Sequence, residues 1–267
     1  IFNFANNLQI FPVGIFGISF ATAIFPTLSL YAFNKEKLVQ SFSYALRQIL
    51  FFIVPATVLI LTLRAQIIRV VLGAGQFDWE DTILTFRTLG LFSISLFAQA
   101  LIPLLVRVYY ARHNYKTPFY LGIISIFLNI FLACYFAPSM GVEGLALAFS
   151  ISSIVNFILL WLALHFEIGE LDEGKILGSI IKFSLAAIVC GLAVQGGKFF
   201  LAAYVNMEKT AGIFAQGAVS AILGIIFYTG VLFILRSEEL FDFILGLKRR
   251  LAWKKIETED RGEARGI

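Results

Sequence analysis

Charged residues are missing from long stretches of this chain and gather in the short intervals between them. That alternation limits what the chain can fold into. From Ile1 to Asn34 there is no Asp, Glu, Lys or Arg at all. A bilayer's hydrocarbon core is crossed by about 20 apolar residues in a helix, and a helix pairs every backbone N–H and C=O within its own segment. Composition agrees: 59% of the 267 residues are hydrophobic and 14% are charged, against about 25% charged in soluble domains, and the mean hydropathy is +0.87. The reading is an all-α polytopic membrane protein, which excludes a soluble enzyme. The net charge of +4 comes from scattered loop and tail residues rather than a basic face interleaved with aromatics, so nucleic acid is not an expected partner.

The uncharged runs predict about seven transmembrane helices, at roughly 8–33, 45–64, 87–107, 119–137, 143–165, 176–197 and 212–235. The second is the weakest, because Arg47 and Arg64 bracket only a short run and must snorkel to the interfaces. Pro12, Pro26, Pro55 and Pro103 fall within or at the ends of spans, where prolines supply kinks. Lys and Arg number sixteen on the side of the loops 34–47, 107–118 and 166–182 and the C-terminal tail, against five on the other. Basic loops stay inside, so the C-terminus is expected to be cytoplasmic. Beyond the last span, Leu240, Ile244, Leu247 and Leu251 recur at helical spacing beside Lys248, Arg249 and Arg250, which predicts an interfacial amphipathic basic helix over 236–256. A disordered tail is expected at 257–267. Cys134 and Cys190 lie inside apolar runs and read as small hydrophobes. The first residue is Ile and no basic n-region follows it, so the natural start is expected upstream.

No catalytic constellation is present. His113 and His165 stand apart with no nearby cysteine, and the chain has no P-loop, no GxGxxG and no HExxH. No metal and no cofactor are expected. What remains is polarity inside the spans, which is expensive in lipid and therefore informative. Asn6 and Asn7 open the first span and read either as interhelical hydrogen-bonding groups or as the lining of a polar cavity that meets a head group. Gly14 and Gly17 are candidate packing or bending points, together with Pro12 and Pro26. Asn129 and Asn156 sit mid-span among serines, where interhelical bonding is the plainer role. Arg107, Arg112 and Lys116 form the densest basic cluster between spans. They would gather a phosphate or pyrophosphate at a cavity mouth, or simply reflect topology. No acidic residue lies at the centre of any span, so this segment offers no proton-coupling site of that kind.

The order of these features resembles one family. Phe4-Ala5-Asn6-Asn7-Leu8-Gln9-Ile10-Phe11-Pro12-Val13-Gly14-Ile15-Phe16-Gly17, followed by Phe25-Pro26-Thr27-Leu28-Ser29, is similar to the helix after the midpoint of the MurJ (MviN) lipid II flippases. Gly73-Ala74-Gly75-Gln76-Phe77-Asp78-Trp79-Glu80-Asp81-Thr82 resembles the family's external G-x-F-x-x-x-D-T loop, and Tyr109-Tyr110-Ala111-Arg112-His113-Asn114-Tyr115-Lys116-Thr117-Pro118 its cytoplasmic F-Y-A-x-x-D-T-x-T-P loop. Asn129 and Gly141-Val142-Glu143-Gly144-Leu145-Ala146 complete the series.

The resemblance implies the back half of a fourteen-helix transporter of the MOP exporter superfamily. Residues 1–166 would supply five helices of the C-terminal lobe, and 174–235 two additional helices forming a groove for the lipid tail. The implied activity is movement of lipid II, an undecaprenyl-pyrophosphoryl disaccharide-pentapeptide, from the inner to the outer leaflet of the bacterial cytoplasmic membrane by alternating access, for cell-wall synthesis. The partners implied are lipid II, membrane lipids and the N-terminal half of the same polypeptide. Asn6, Asn7, Arg107, Arg112 and Lys116 would face the cavity. The chain departs from the family where Asn7 replaces an arginine, Asn114 an aspartate, and Ala133 a carboxylate that some members carry. A neutral hydrogen bond then stands where a charge-assisted one, roughly twice as strong, would be. Other readings stay open: a flippase for another polyprenyl-linked glycan, a multidrug exporter of the same superfamily, or a non-transporting membrane scaffold.

Overall fold

The computed structural model describes residues 1–72, 79–203 and 210–248. The loop motif at 73–78, the continuation of the basic helix beyond 248 and the tail at 257–267 lie outside the described residues. The described elements are α1 (Phe2–Pro12), a π-helical turn (Val13–Ile18), α2 (Ser19–Leu30), α3 (Lys35–Leu72), α4 (Trp79–Ser93), α5 (Leu96–Ala111), α6 (Lys116–Met140), α7 (Val142–Ile168), α8 (Glu173–Ala202) and α9 (Thr210–Ile234), followed by α10 over 238–248. Among the described residues six helices are long and apolar enough to cross a membrane, and seven spans result if the bent α4–α5 pair counts as one. Among the described residues there is no strand.

The first span is continuous from Phe2 to Leu30 but changes winding in its middle. Pro12 has no N–H to give and its ring crowds the carbonyl four residues back. Directly after it the helix takes a π turn, in which the Ser19 N–H reaches the Gly14 carbonyl five residues earlier. The Ser19 hydroxyl donates to the same oxygen at 3.1 Å. On the inner side of this turn the span meets α5. A Cβ on Gly17 would sit 2.6 Å from the Ala100 carbonyl oxygen, whereas one on Gly14 would meet nothing within 4 Å.

Two spans differ from the sequence expectation. The second is not short: α3 runs 38 residues, roughly 57 Å at 1.5 Å per residue, and overshoots the hydrocarbon at its ends. The two arginines that bracketed the expected span find protein partners, Arg47 on Glu238 and Glu239 and Arg64 over the Phe86 ring at 5.1 Å. The third is broken, with α4 and α5 meeting at 46°. The cause is local. Ser93 Oγ donates back to the Leu89 carbonyl at 2.7 Å and Ser95 Oγ to Phe92 at 3.1 Å, hydroxyl bonds that compete with the helix ladder and bend it.

α3 is the centre of the bundle, packing against the first span, α4, α5, α8 and α9. α6 pairs with α7 across a tight turn in which Gly141 takes φ 59° and ψ −130°, a backbone left to glycine. α8 pairs with α9. α10 folds back so that Leu240 is buried and Ile244 packs on the main core, while Leu247 is exposed. Part of its apolar face is therefore docked on protein. Glu239 fastens it: Oε1 lies 2.7 Å from Arg47 Nη1 and accepts from Ser179 Oγ at 2.7 Å, and Oε2 accepts from Ser237 Oγ at 2.6 Å. With Glu239 3% exposed, removing one partner of such a pair costs about 3–5 kcal/mol.

Two measurements follow from this packing. Gly17→Ala drives a methyl into α5 backbone and lowers stability by about 1–3 kcal/mol, while Gly14→Ala is neutral or gains up to about 1 kcal/mol of helix propensity; thermal unfolding in detergent reads both. Burial by itself would raise the Glu239 carboxyl, but hydrogen bonds from Ser237, Ser179 and the backbone together with the Arg47 charge hold it below the ordinary carboxylate value. Its stabilisation is therefore full above the unfolded carboxylate pKa and lost as pH falls through the depressed folded value. Wild type should lose an increment of thermal stability on acidification through that window that Glu239→Gln lacks.

Candidate functional site

The expected site residues separate into two groups at opposite ends of the first span. Asn6 and Asn7 lie near its start, and Arg107 and Arg112 contact its other end through Phe25 and the Ala32 carbonyl. From Asn7 to Phe25 the helix rises roughly 27 Å. The two groups cannot hold one small group together in this arrangement.

Asn6 faces the bundle. Its Oδ1 accepts from Gln9 Nε2 at 2.9 Å; Gln9 Oε1 accepts from Gln99 Nε2 at 2.9 Å, and Gln99 Nε2 also lies 2.8 Å from Ser95 Oγ. Ser95 Oγ is 3.0 Å from Ser150 Oγ, which donates to the Leu91 carbonyl at 2.9 Å. This buried ladder joins α1, α5 and α7 beside the π turn. Gln99 was not singled out from the sequence, although an uncharged amide inside an apolar run is the same signal that marked Asn6. Asn7 points the other way and is exposed. Ser19, Thr22 and Ser29 are exposed along the later half of the first span, a weakly polar stripe on an otherwise apolar helix, whereas Asn7 is exposed among apolar residues that line a groove against α3.

Asn129 Nδ2 donates to Ser152 Oγ at 2.9 Å, and Ser125 Oγ to the Ser152 carbonyl at 2.9 Å, which binds α6 to α7. One turn further on, the Asn156 Oδ1 is buried without a partner among the described residues.

The basic loop is used largely for structure. Arg112 Nε lies 3.1 Å from Glu167 Oε1 and its Nη1 3.4 Å from the Ala32 carbonyl oxygen, so it ties the end of the first span to α7. Asn114 Nδ2 donates to Glu167 Oε2 at 3.1 Å, and its Oδ1 accepts the Thr117 N–H at 3.2 Å, capping α6. Tyr109 OH donates to the Leu160 carbonyl at 3.0 Å in the core. Arg107 lies over the Phe25 ring at 5.8 Å without an acidic partner among the described residues, and Lys116 is exposed. Of the three cations, Arg112 is the one already neutralised.

Three apolar grooves lie against α3 and adjoin at shared wall residues, together forming a trough. Its first section, about 480 Å³, lies between the first span and α3 and is lined by Phe4, Asn7, Phe11, Ile60, Ile67 and Val71 among others. A second, about 390 Å³, continues between α3 and α9 past Leu63, Gln66, Phe214 and Gly217. A third, about 490 Å³, lies between α3, α9 and α10, with Phe51, Phe52, Tyr228 and Phe243 on its walls. All three share Leu59. From Phe51 to Val71 the trough follows α3 for roughly 30 Å, the depth of a bilayer's hydrocarbon. Its walls come from the first span, α3, α9 and α10, with Leu89 of α4 closing the first section; α8 packs against α9 and lines none of the three.

If Arg112 acts through Glu167, Arg112→Ala and Glu167→Ala should each destabilise modestly, and the double variant should fall short of their sum by about 0.5–1 kcal/mol, as befits a partly exposed pair. Thermal unfolding of the four proteins of the cycle measures it.

The family described as "Lipid II flippase MurJ" matches residues 1–216. Among its relatives, proteins described as "Probable lipid II flippase MurJ" are 32% identical over 166 residues in Vibrio cholerae (61% of this chain, 32% of the relative) and 30% over 190 residues in Thermotoga maritima (71% and 38%). The one from Rhizobium meliloti is 25% identical over 267 residues, 98% of this chain and 50% of the relative. A solved structure titled "Lipid II flippase MurJ, inward closed conformation" superposes with a TM-score of 0.69 at 24% identity, over 88% of this chain and 47% of that one; this shows the shared fold. The chain thus spans from about a third to a half of the length of these relatives. With the match covering most of its length, the chain belongs to the lipid II flippase MurJ family.

Proposed function

We propose that the protein containing this chain moves lipid II across the bacterial cytoplasmic membrane by alternating access, acting as a transporter and not as a catalyst of covalent chemistry. The observation that carries the reading is the pairing of a membrane-deep apolar trough with a weakly polar stripe on the same first span. Lipid II is an amphiphile, and its pyrophosphate and sugars would cost tens of kcal/mol to bury in hydrocarbon. The stripe and Arg107, which has no acidic partner among the described residues, suit the head group, facing the remainder of the polypeptide. The trough suits the polyprenyl tail, which remains in an apolar medium throughout. On this reading residues 1–166 form the five-helix part of a lobe and 174–235 the added pair. The C-terminus lies on the cytoplasmic side, as the sixteen-to-five distribution of Lys and Arg favours. The N-terminal half of the same polypeptide would complete the cavity.

A second reading, a scaffold of the same fold that no longer transports, draws on two observations: Asn7 where the family resemblance implies arginine, and the engagement of Arg112 by Glu167. A related glycan carrier would use the same trough with a different head group.

Complementation separates these. The full-length gene is expressed in cells depleted of their own lipid II flippase, and externally accessible lipid II is assayed. The wild type should rescue, and Arg107→Ala should lower transport by about tenfold with thermal stability retained. Asn7→Arg should be tolerated or raise transport. Failure of an inserted, abundant wild type to rescue would overturn the lipid II assignment in favour of another polyprenyl-linked glycan or the scaffold.

A further inference from the structure

Taking the trough as the seat of a lipid tail, we propose that α10 is its latched end wall. The latch is the Arg47–Glu239 pair, and its release opens the trough at the corner between α9 and α10.

The wall is visible in the third section of the trough, where Leu240, Phe243 and Ile244 all come from α10. Without them that section has no floor. Phe243 is seated edge-on against Phe52, with ring centroids 5.3 Å apart, and at 6.1 Å from Phe51. These contacts are apolar and non-directional, so they give the wall a seat without fixing one position. Direction comes from the polar ties, and among the described residues these come from two adjacent side chains of α10, Glu238 and Glu239. Glu239 bonds Arg47 on α3 and Ser179 on α8, and Glu238 adds a 3.3 Å contact to the same Arg47 nitrogen.

The corner itself has the form of a hinge. α9 ends at Ile234, and Arg236 takes φ 47°, a left-handed backbone uncommon for a residue with a Cβ. Ser237 N–H closes the corner on the Leu232 carbonyl at 3.0 Å. The latch is incompletely satisfied when shut: Arg47 Nε is a buried donor without an acceptor among the described residues. Buried unpaired donors penalise the arrangement that holds them, which is what a closure that must also open requires.

The seat is also connected to the first span. Phe52, against which Phe243 rests, stacks face to face on Phe16 at 4.9 Å with 2° between planes, and Phe16 lies within the π turn. A change of winding at that turn moves Phe16, and through Phe52 it alters the seat of the wall. The bend in the first span and the closure of the trough then act on the same aromatic stack.

The test uses the intact polypeptide in nanodiscs of phosphatidylethanolamine and phosphatidylglycerol. Spin labels are placed at Leu245→Cys on α10 and Leu177→Cys on α8, with Cys134 and Cys190 replaced. Wild type should give one narrow distance distribution. Glu239→Gln should broaden it, and the charge exchange Arg47→Glu/Glu239→Arg should narrow it again. An unchanged distribution in Glu239→Gln overturns the latch. In a second arm, the Leu177→Cys/Leu245→Cys pair, which leaves Arg47 and Glu239 in place, is bridged by a cleavable thiol cross-linker and lipid II transport is measured. Transport should fall by about tenfold and return on cleavage; equal rates before and after cleavage overturn the gating role. If the uncross-linked protein moves no lipid II, the proposed function fails while the distance distributions still decide the latch.

Discussion

Where hydrocarbon is the solvent, apolar surface gives helices no reason to associate, because the lipid is as apolar as the partner helix. Close approach of small residues, interhelical hydrogen bonds and aromatic packing must do it instead. The bundle around α3 is built in this way. Gly17 lets the first span touch the backbone of α5. The Gln9–Gln99 rung, Asn129 on Ser152, Gln66 on Gln216, and the Tyr228 hydroxyl on the Phe51 carbonyl each tie one span to another. Each is a group that would be costly if left alone in lipid and is held because a second helix satisfies it.

The same rule divides polar side chains by role. Those with partners inside the chain, such as Asn6, Asn129 and Arg112, hold helices in place. Those without a hydrogen-bonding or acidic partner among the described residues, Asn7, Arg107 and Lys116 among them, lie on exposed or half-exposed surface. A carrier of an amphiphile needs both kinds on one body, and the first span carries both on opposite faces. Its π turn sits between them, where Pro12 has removed one backbone bond and Ser19 supplies another.

Much of this was legible in the sequence. Charge-free runs located the spans because a bilayer admits little else, and the gap between the runs ending near 137 and starting near 143 is where Gly141 takes a positive φ in the turn from α6 to α7. The bend at Ser93–Ser95 was not legible, since serine hydroxyls stabilise or break a helix depending on which carbonyl they reach. The full length of α3 was hidden too: Arg47 and Arg64 read as boundaries, and only the acidic corner of α10 and the Phe86 ring show why they are not.

The sequence by itself determined a helical membrane bundle and the family to which it belongs, because hydrophobic length and ordered motifs are local properties of the chain. It also supplied the inventory of intramembrane polar groups. Only the tertiary structure decided which of them are partnered, since the ties from Arg112 to Glu167 and from Arg47 to Glu239 span 55 and 192 residues of chain. The trough is of the same kind. No segment of the sequence contains it, because it is the space left between the first span, α3, α9 and α10 once each has satisfied its own backbone and met the others.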